Sequence, residues 1–170
     1  MKYSEILVPG PLGTMRLLAT EDALAAVYLA EHKGEPAHPA MPGSDHPVLR
    51  EACAQLEAYF AGRRRVFDLP LDAQGTEFQR AVWSALQEIP FGETRSYKDL
   101  ATRVGRPQAV RAVGAANGRN PLSIIVPCHR VIGADGTLMG YASGTERKKW
   151  LLQHEQSVLT GSGLFVLRGA

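Results

Sequence analysis

The spacing of the apolar residues changes along the chain, and this change restricts the possible folds more than any other feature. Three short apolar runs separated by turn residues occupy the first thirty positions: YSEILVPG, GTMRLLAT and ALAAVYLA. Such runs are typical of a small antiparallel sheet. Beyond residue 45 the apolar residues recur at helical spacing. We therefore expect an α/β N-terminal domain, a small antiparallel sheet plus a helix, followed by a mostly helical C-terminal domain.

The boundary between the two domains is predicted near Ala73–Gly75. Before it, the segment His46–Gly62 is a predicted helix whose apolar face carries four residues: Leu49, Cys53, Leu56 and Phe60. Cys53 lies on that face, so we interpret it as a small core residue without chemistry. The predicted domains are residues 1–75 and 76–170.

The second half carries the outline of a helix-turn-helix. Thr76 is a candidate N-cap for the helix in TEFQRAVWSALQEIPFG. A helix from about Tyr97 to Val104 is followed by the turn GRP, and Pro107 is expected in the first turn of a second helix, QAVRAVGAAN. Two helices joined by a short turn containing glycine are typical of this DNA-binding motif, although many helical hairpins share the outline.

The second helix of this pair consists mostly of small residues. Arg111 is its one long basic side chain, and Gly114 lies inside it at a cost of about 1 kcal/mol relative to alanine. A surface this bare allows the close approach of a DNA backbone or of another helix. Because few side chains could contact base edges, such a helix would suit docking on DNA of any sequence.

Charge is distributed unevenly between the halves. Residues 1–75 hold seven Lys/Arg against ten Asp/Glu, whereas residues 76–170 hold twelve against seven. A basic second half favours a polyanionic partner such as nucleic acid, and scattered solvated charges are the alternative.

Cysteine and histidine usage indicates neither disulfides nor a metal. The chain has two cysteines, and its start, MKYSEILVPGPLG, does not resemble a secretion signal, so we expect reduced thiols and a cytoplasmic location. Three histidines lie in EHKGEPAHPAMPGSDHP without ligand spacing, which indicates a solvated loop rather than a metal site.

The segment IIVPCHRVIG places Cys128 directly before His129. We expect SIIV to form a strand that ends at Pro127. Successive side chains of a strand point to opposite faces, so the two residues could cooperate only if they begin a turn or a single helical turn. A Cys–His pair can activate a sulfur nucleophile, but this pair alone is equally compatible with an inert buried cysteine.

The wider sequence resembles the O6-alkylguanine-DNA alkyltransferases. The resemblance covers roughly the last hundred residues and rests on five segments in the order of that family: FQRAVW, FGETRSY, RAVGAANGRNP, PCHRVIG and KKWLLQHE. The first half matches only in general layout. The combination is specific, whereas each segment alone is not.

The resemblance implies irreversible, single-turnover transfer of an alkyl group from O6-alkylguanine to Cys128, and the sequence leaves open whether O4-alkylthymine is a substrate too. By analogy His129 is the base, acting through a water, and Glu155 orients it. Asn120 would brace the loop that carries the cysteine, and Tyr97 would donate a hydrogen bond to the guanine ring. No metal or organic cofactor is implied.

The resemblance also implies double-stranded DNA as the partner, with the damaged base flipped out of the stack. Arg111 would take the place of the extruded nucleotide. Further residues are expected to contact DNA or the substrate: Ser96, Lys98, Arg106, Gly114, Val131, Tyr141 and Ser143. We expect a monomer in solution with no membrane partner, and the sequence leaves open whether several copies assemble cooperatively on DNA.

One position departs from the family pattern. After Tyr141 the family usually has a small residue and two glycines, but this chain reads YASG, with Ser143 at the first glycine position. Its hydroxymethyl group could narrow the mouth of the alkyl pocket or add a hydrogen bond to the O6 region. Our hypothesis is that methyl adducts react more readily than benzyl-sized ones. No role is assigned to the stretch 156–170.

Other interpretations remain open for single residues and for the whole chain. Glu155 could pair with Lys148 or Lys149 on a solvated helix, Asn120 could initiate a turn, and Tyr97 could be a core residue. For the chain, the alternatives are a relative that binds alkylated bases without dealkylating them, and a Cys–His hydrolase or thiol redox sensor.

Overall fold

Three antiparallel strands form the sheet that the sequence predicts. The computed structural model describes residues 2–138 and 140–161, so residues 162–170 of the second predicted domain lie outside the described residues. A fourth strand, not predicted, pairs in parallel with the first and gives the order β3-β2-β1-β4. This strand is short and follows the Pro-rich loop. The sequence therefore shows no alternation of apolar and polar residues that would have predicted it. The strands are β1 Tyr3–Val8, β2 Met15–Ala19, β3 Leu24–Tyr28 and β4 Ala40–Pro42.

Helix α1 (Pro47–Phe60) packs its apolar face against this sheet, as predicted. His46 is its N-cap: the Val48 amide donates to Nδ1 at 3.2 Å, and Nε2 lies 2.8 Å from the carbonyl oxygen of Thr20. This histidine therefore fixes the start of the helix and ties it to the end of β2. Cys53 is half-buried and packs against the core, in agreement with its predicted place on the apolar face.

The second half is mostly helical, and its caps follow the sequence. Thr76 forms a capping box with Gln79 at the start of the first helix, as its type and position predict. Two short strands pair in parallel beside the helices. Among the described residues, none of the helices combines the length and the apolarity needed to cross a bilayer. The helices are α2 Glu77–Leu86, α3 Tyr97–Arg103, α4 Val110–Gly118 and α5 Thr145–Thr160, and the strands are β5 Arg95–Ser96 and β6 Val131–Ile132.

Helices α3 and α4 pack on each other as the predicted helix-turn-helix, but the prediction for Pro107 is wrong. Helix α4 begins at Val110, after the non-helical Ala109. The amide of Ala109 donates to the carbonyl of Arg106 at 2.9 Å, which closes a separate turn across Pro107. The fixed φ of proline suits the second position of such a turn as well as it suits the start of a helix.

The predicted strand SIIV is also wrong. Leu122 makes a single bridge to Val27 of β3, and the chain then folds into a turn. Within that turn Ile124 adopts a φ of 72° and is only 1% exposed. A short apolar run indicates burial but does not distinguish a strand from another buried conformation, and here the turn itself is buried.

One apolar core connects the two halves. It includes Leu17 and Tyr59 from the first half and Leu86, Val131 and Leu151 from the second. Backbone hydrogen bonds add to this packing: the amide of Val27 donates to the Pro121 carbonyl at 2.8 Å, and the Ser123 amide donates back to the Val27 carbonyl at 3.1 Å. Strand β3 therefore anchors the segment that leads to Cys128.

Candidate active site

Cys128 and His129 lie in a single 3-10 turn, Cys128–Arg130, that follows Pro127. This is the turn that the sequence required if the neighbouring side chains were to cooperate. Both side chains are buried, with exposures of 4% and 0%. The proline ends the preceding segment, and the turn carries the cysteine and the histidine into the interior between α2 and α5.

A hydrogen bond to Glu155 determines which nitrogen of His129 carries the proton. Nε2 lies 2.7 Å from Oε2 of the carboxylate. An ionised carboxylate only accepts hydrogen bonds, so Nε2 is the protonated nitrogen and Nδ1 carries a free lone pair. Nδ1 is buried and has no hydrogen-bond partner among the described residues. The imidazole is therefore arranged to accept a proton at Nδ1.

Glu155 accepts five hydrogen bonds from four residues in three segments of the chain. Arg130 donates from Nε to Oε1 at 2.9 Å and from Nη2 to Oε2 at 3.0 Å. The Gly92 amide donates to Oε1 at 3.0 Å, and the Tyr59 hydroxyl donates to Oε2 at 2.7 Å. With His129, these donors satisfy a carboxylate that is 1% exposed.

Glu155 stays ionised because its hydrogen-bond partners and neighbouring charges favour the carboxylate more than burial disfavours it. Burial alone would raise the pKa of the carboxyl group, but the hydrogen bonds and charges of His129 and Arg130 hold that pKa well below its usual range. Burial lowers the pKa of His129 despite the neighbouring carboxylate. The resting state is therefore an ionised Glu155 paired with Arg130, next to a neutral imidazole.

Cys128 rests as a thiol. Burial raises its pKa to about 11, and this rise is only partly offset by a hydrogen bond from Asn120 and by the positive charge of Lys148. A thiol with such a pKa needs a base before it can act as a nucleophile. The next residue, His129, has an unprotonated Nδ1 that is able to accept a proton.

Lys148 is buried, contrary to the alternative in which it lies on a solvated helix. Its side chain is 0% exposed, and its Nζ lies 5.7 Å from the centroid of the Tyr97 ring. Burial lowers its pKa to about 8. The sequence contained a signal for this position, because Lys148 and Glu155 are seven residues apart and so share a face of α5.

Asn120 holds the loop that precedes the cysteine. Its Nδ2 donates to the Val126 carbonyl at 2.8 Å, and its Oδ1 accepts from the Leu122 amide at 3.0 Å. The single side chain thus ties the two ends of the loop together at the end of the helix-turn-helix. Buried Asn117, which sequence reasoning missed, donates from Nδ2 to the Cys128 carbonyl at 3.4 Å.

Tyr97 and Tyr141 lie near the sulfur. Burial raises the pKa of each tyrosine, and the charge of Cys128 raises both further, which places both rings close to the thiol. A methyl group added at Gly140 would lie 3.1 Å from the Tyr97 hydroxyl, so this loop packs against α3. Ser143 is 2% exposed, and its Oγ has no hydrogen-bond partner among the described residues.

The other predicted contact residues divide into a surface group and a buried group. Lys98, Arg106 and Arg111 are exposed on the helix-turn-helix. Ser96 caps α3 through a hydrogen bond from the Asp99 amide to its Oγ. Two residues are less accessible: Val131 is fully buried in β6, and Gly114 faces the Tyr97 ring.

A methyl group added at Gly114 would lie 3.7 Å from the nearest Tyr97 ring atom, an ordinary contact distance. Packing inside the protein therefore does not require glycine at this position.

Sequence reasoning missed two members of the carboxylate network. Arg130 lies inside the quoted segment PCHRVIG, so the motif contained it, but its pairing with Glu155 was not foreseen. Tyr59 had no signal beyond its place in the helix His46–Gly62. Its partner Glu155 lies 96 positions later in the chain.

Comparison with known proteins places both halves of the chain in one group. Two family models match: the ribonuclease-like domain of 6-O-methylguanine DNA methyltransferase over residues 3–73, and the DNA-binding domain of the same protein over residues 77–157. A methylated-DNA–protein-cysteine methyltransferase of Methanosarcina barkeri is 48% identical over 153 residues, covering 90% of this chain and 97% of the relative.

A constitutive methylated-DNA–protein-cysteine methyltransferase of Bacillus subtilis is 49% identical over 150 residues, covering 86% of this chain and 91% of the relative. Among solved structures, Mycobacterium tuberculosis OGT in complex with DNA superimposes with a TM-score of 0.82 at 46% identity. That comparison covers 93% of this chain and 94% of the other.

The buried carboxylate gives a testable dependence of stability on pH. Replacing Glu155 with glutamine leaves Arg130 buried without its counter-ion, so Glu155→Gln should lower the free energy of unfolding near neutral pH by about 3 to 5 kcal/mol. Because the folded-state pKa is depressed, the stabilisation by Glu155 is present above the ordinary carboxyl pKa of 4.5 and is lost as pH falls below it.

Urea unfolding of the wild type and of Glu155→Gln between neutral pH and pH about 3 measures this effect. The difference between the two proteins should narrow below the ordinary pKa. Glu146→Gln, which changes an exposed carboxylate on the same helix, serves as the control and should match the wild type. A Glu155→Gln curve parallel to that of the wild type at all pH values would contradict the assignment.

Proposed function

This chain belongs to the 6-O-methylguanine DNA methyltransferase family, and within that family we propose that Cys128 is the residue that accepts the alkyl group. The chain repairs DNA by direct reversal, in that it transfers a methyl or other alkyl group from O6-alkylguanine to a cysteine of its own. The observation that carries the assignment is the position of Cys128, buried beside a histidine whose Nε2 is fixed by Glu155 and whose Nδ1 has a free lone pair.

The transfer is an in-line displacement. The sulfur of Cys128 forms a bond to the alkyl carbon while the bond between that carbon and guanine O6 breaks. The thiol proton moves to Nδ1 of His129, through a water in our proposal, and the departing guanine takes up one proton in turn. Tyr97 donates a hydrogen bond to the guanine ring and so stabilises the leaving base.

The electrostatics of the site favour proton transfer at the time of reaction. Cys128 is protonated at rest because burial raises its pKa to about 11. Negative charge that develops on the sulfur is stabilised by Lys148, and positive charge on His129 is stabilised by Glu155. Charge separation therefore occurs between groups that each have a counter-charge in place.

The reaction proceeds once per molecule. A thioether at Cys128 would require the protein's own thiolate to leave, and among the described residues no second cysteine lies at the site to take over the alkyl group. The remaining cysteine, Cys53, lies half-buried in α1 on the core side. The protein is thus consumed stoichiometrically, without a metal or an organic cofactor.

We propose that the helix-turn-helix docks α4 in the minor groove. The exposed small residues of α4 permit close approach, and Arg111 enters the duplex in place of the flipped nucleotide. Lys98, Arg106 and the cap residue Ser96 contact the phosphate backbone. The basic second half of the chain supports this arrangement, as does the DNA complex solved for the Mycobacterium tuberculosis relative.

The remaining substrate contacts surround the sulfur. Val131, Tyr141 and Ser143 form the wall of the alkyl pocket, and Gly114 gives the DNA access to Tyr97. The physiological partner is double-stranded DNA that contains O6-alkylguanine, and the free protein is a monomer in solution.

We propose two domains, residues 1–75 and 76–170, in a cytoplasmic protein. The separate family matches over residues 3–73 and 77–157 support the division, and the free cysteines support a reducing compartment.

Intact-protein mass measured after incubation with excess duplex containing O6-methylguanine tests the proposed acceptor. The wild type should gain one methyl group and stop at one equivalent, because the thioether cannot leave. Cys128→Ala should gain nothing, and Cys53→Ala should behave as the wild type. Tight binding of the damaged duplex without any gain in mass would instead indicate a binding-only protein.

Arg111 is predicted to act only when the damaged base must leave a duplex. Arg111→Ala should slow methyl transfer from double-stranded DNA by about tenfold or more, which corresponds to roughly 1.4 kcal/mol of lost stabilisation of the flipped state. Transfer from the same lesion in a short single strand should be much less affected. An equal loss on both substrates would show that Arg111 contributes to general DNA affinity rather than to base flipping.

Ser143 is predicted to limit the size of the alkyl group. Ser143→Gly should label faster than the wild type with a benzylguanine probe, because the hydroxymethyl group is removed from a buried position. Rates with O6-methylguanine DNA should change little. Faster benzyl labelling by the wild type than by the variant would refute this role.

A further inference from the structure

The carboxylate that orients His129 also accepts a hydrogen bond from the N-terminal half of the protein. The hydroxyl of Tyr59, near the end of α1, donates to Oε2 of Glu155 at 2.7 Å. Oε2 is the same oxygen that receives the proton-bearing Nε2 of His129. Tyr59 and His129 therefore share one acceptor atom, although 70 positions of sequence separate them.

Helix α5 holds Tyr59 at two points. His154 places its Nε2 2.8 Å from the Tyr59 carbonyl oxygen, while the next residue, Glu155, accepts from the Tyr59 hydroxyl. The Tyr59 side chain is 0% exposed. Its ring contacts four others at centroid distances from 5.2 to 6.0 Å: Phe60, Phe67, Phe91 and His154. Packing therefore fixes the position of the phenol oxygen, and solvent does not compete for its hydrogen bond to Glu155.

The Tyr59 hydroxyl is a permanent donor. Burial raises its pKa well above the ordinary value, and the neighbouring charge of Glu155 raises it further, so the phenol stays neutral. A hydrogen bond donated to Oε2 of Glu155 reduces the negative charge on that oxygen, which is the one that accepts the hydrogen bond from His129. The other groups that face His129 are Glu155 and Lys148 from α5 together with Arg130 and Cys128 from its own turn.

We propose that Tyr59 is a positioning residue for alkyl transfer: through Glu155 it fixes the His129 imidazole and limits the basicity of that ring. This role rests on the proposed function, because it requires His129 to act as the base. It also makes the chemistry of the second half depend on a side chain from the first half. The apolar core joins the halves physically, and this hydrogen bond joins them electrostatically.

The test is the pH dependence of the single-turnover rate of methyl transfer for the wild type and for Tyr59→Phe. The phenylalanine keeps the aromatic packing and removes only the hydroxyl. Glu155 then becomes a stronger acceptor for His129, so His129 stays protonated to higher pH. The midpoint of the acidic limb should move up by about half a pH unit or more.

Tyr28→Phe is the matched control, since it removes the hydroxyl of a tyrosine that is 3% exposed in β3, away from the carboxylate network. Its midpoint should equal that of the wild type. A lower melting temperature for Tyr59→Phe with an unshifted midpoint would show that Tyr59 is purely structural and would overturn the proposal. No transfer by the wild type at any pH would refute the proposed function as well.

A second measurement does not depend on the folding of the phenylalanine variant. Site-specific incorporation of 3-fluorotyrosine at position 59 gives a more acidic phenol and hence a stronger donor. The midpoint should then move to lower pH, opposite to the shift in Tyr59→Phe. A shift in the same direction as in Tyr59→Phe, or none, would overturn the proposal.

Discussion

The structure depends on the need to satisfy one buried carboxylate. Glu155 is 1% exposed and remains charged because α1, the loop at Gly92 and the 3-10 turn, which carries both His129 and Arg130, all direct donors at it. An ionised carboxylate buried without such partners would cost several kcal/mol, so the segments that supply them are obliged to meet at this point. The same contacts fix the tautomer of His129. The contacts that satisfy the buried carboxylate are therefore also the ones that orient the imidazole proposed as the base.

Recognition and chemistry use different parts of the second half. The exposed side of the helix-turn-helix carries Lys98 on α3, Arg106 in the turn and Arg111 on α4. Helix α4 is so poor in large side chains that it suits close docking without base reading. Behind it, Cys128 lies in an interior that keeps its thiol protonated. A reactive sulfur can be used only once here, and burial protects it until a base with the right shape has entered. Asn120 links the two parts, because it ties the end of the helix-turn-helix to the loop before the cysteine.

Local features were predictable where a single segment determines them. Thr76 forms the predicted helix cap, and the three predicted N-terminal strands, the helix within His46–Gly62 and the helix-turn-helix are all present. Pro107 was misplaced because its fixed φ fits two local structures, and only the hydrogen bond across it distinguishes them. The segment SIIV was wrongly predicted to be a strand because its apolar residues are buried in a turn rather than in a β-sheet. The catalytic and contact roles of the individual residues remain predictions for the experiments.

The sequence by itself determined the chemical groups and their local settings: a thiol next to an imidazole after a proline, a carboxylate on a helix face shared with a lysine, and a bare helix with one arginine. It did not determine which groups form hydrogen bonds with each other, because these partners are set by distances that arise only when the chain is folded. Tyr59 and Glu155 are 96 positions apart, and nothing local to either residue relates them. The pKa of Cys128 and that of Lys148 likewise follow from burial, which is a property of the packed core and not of the neighbouring residues in the chain.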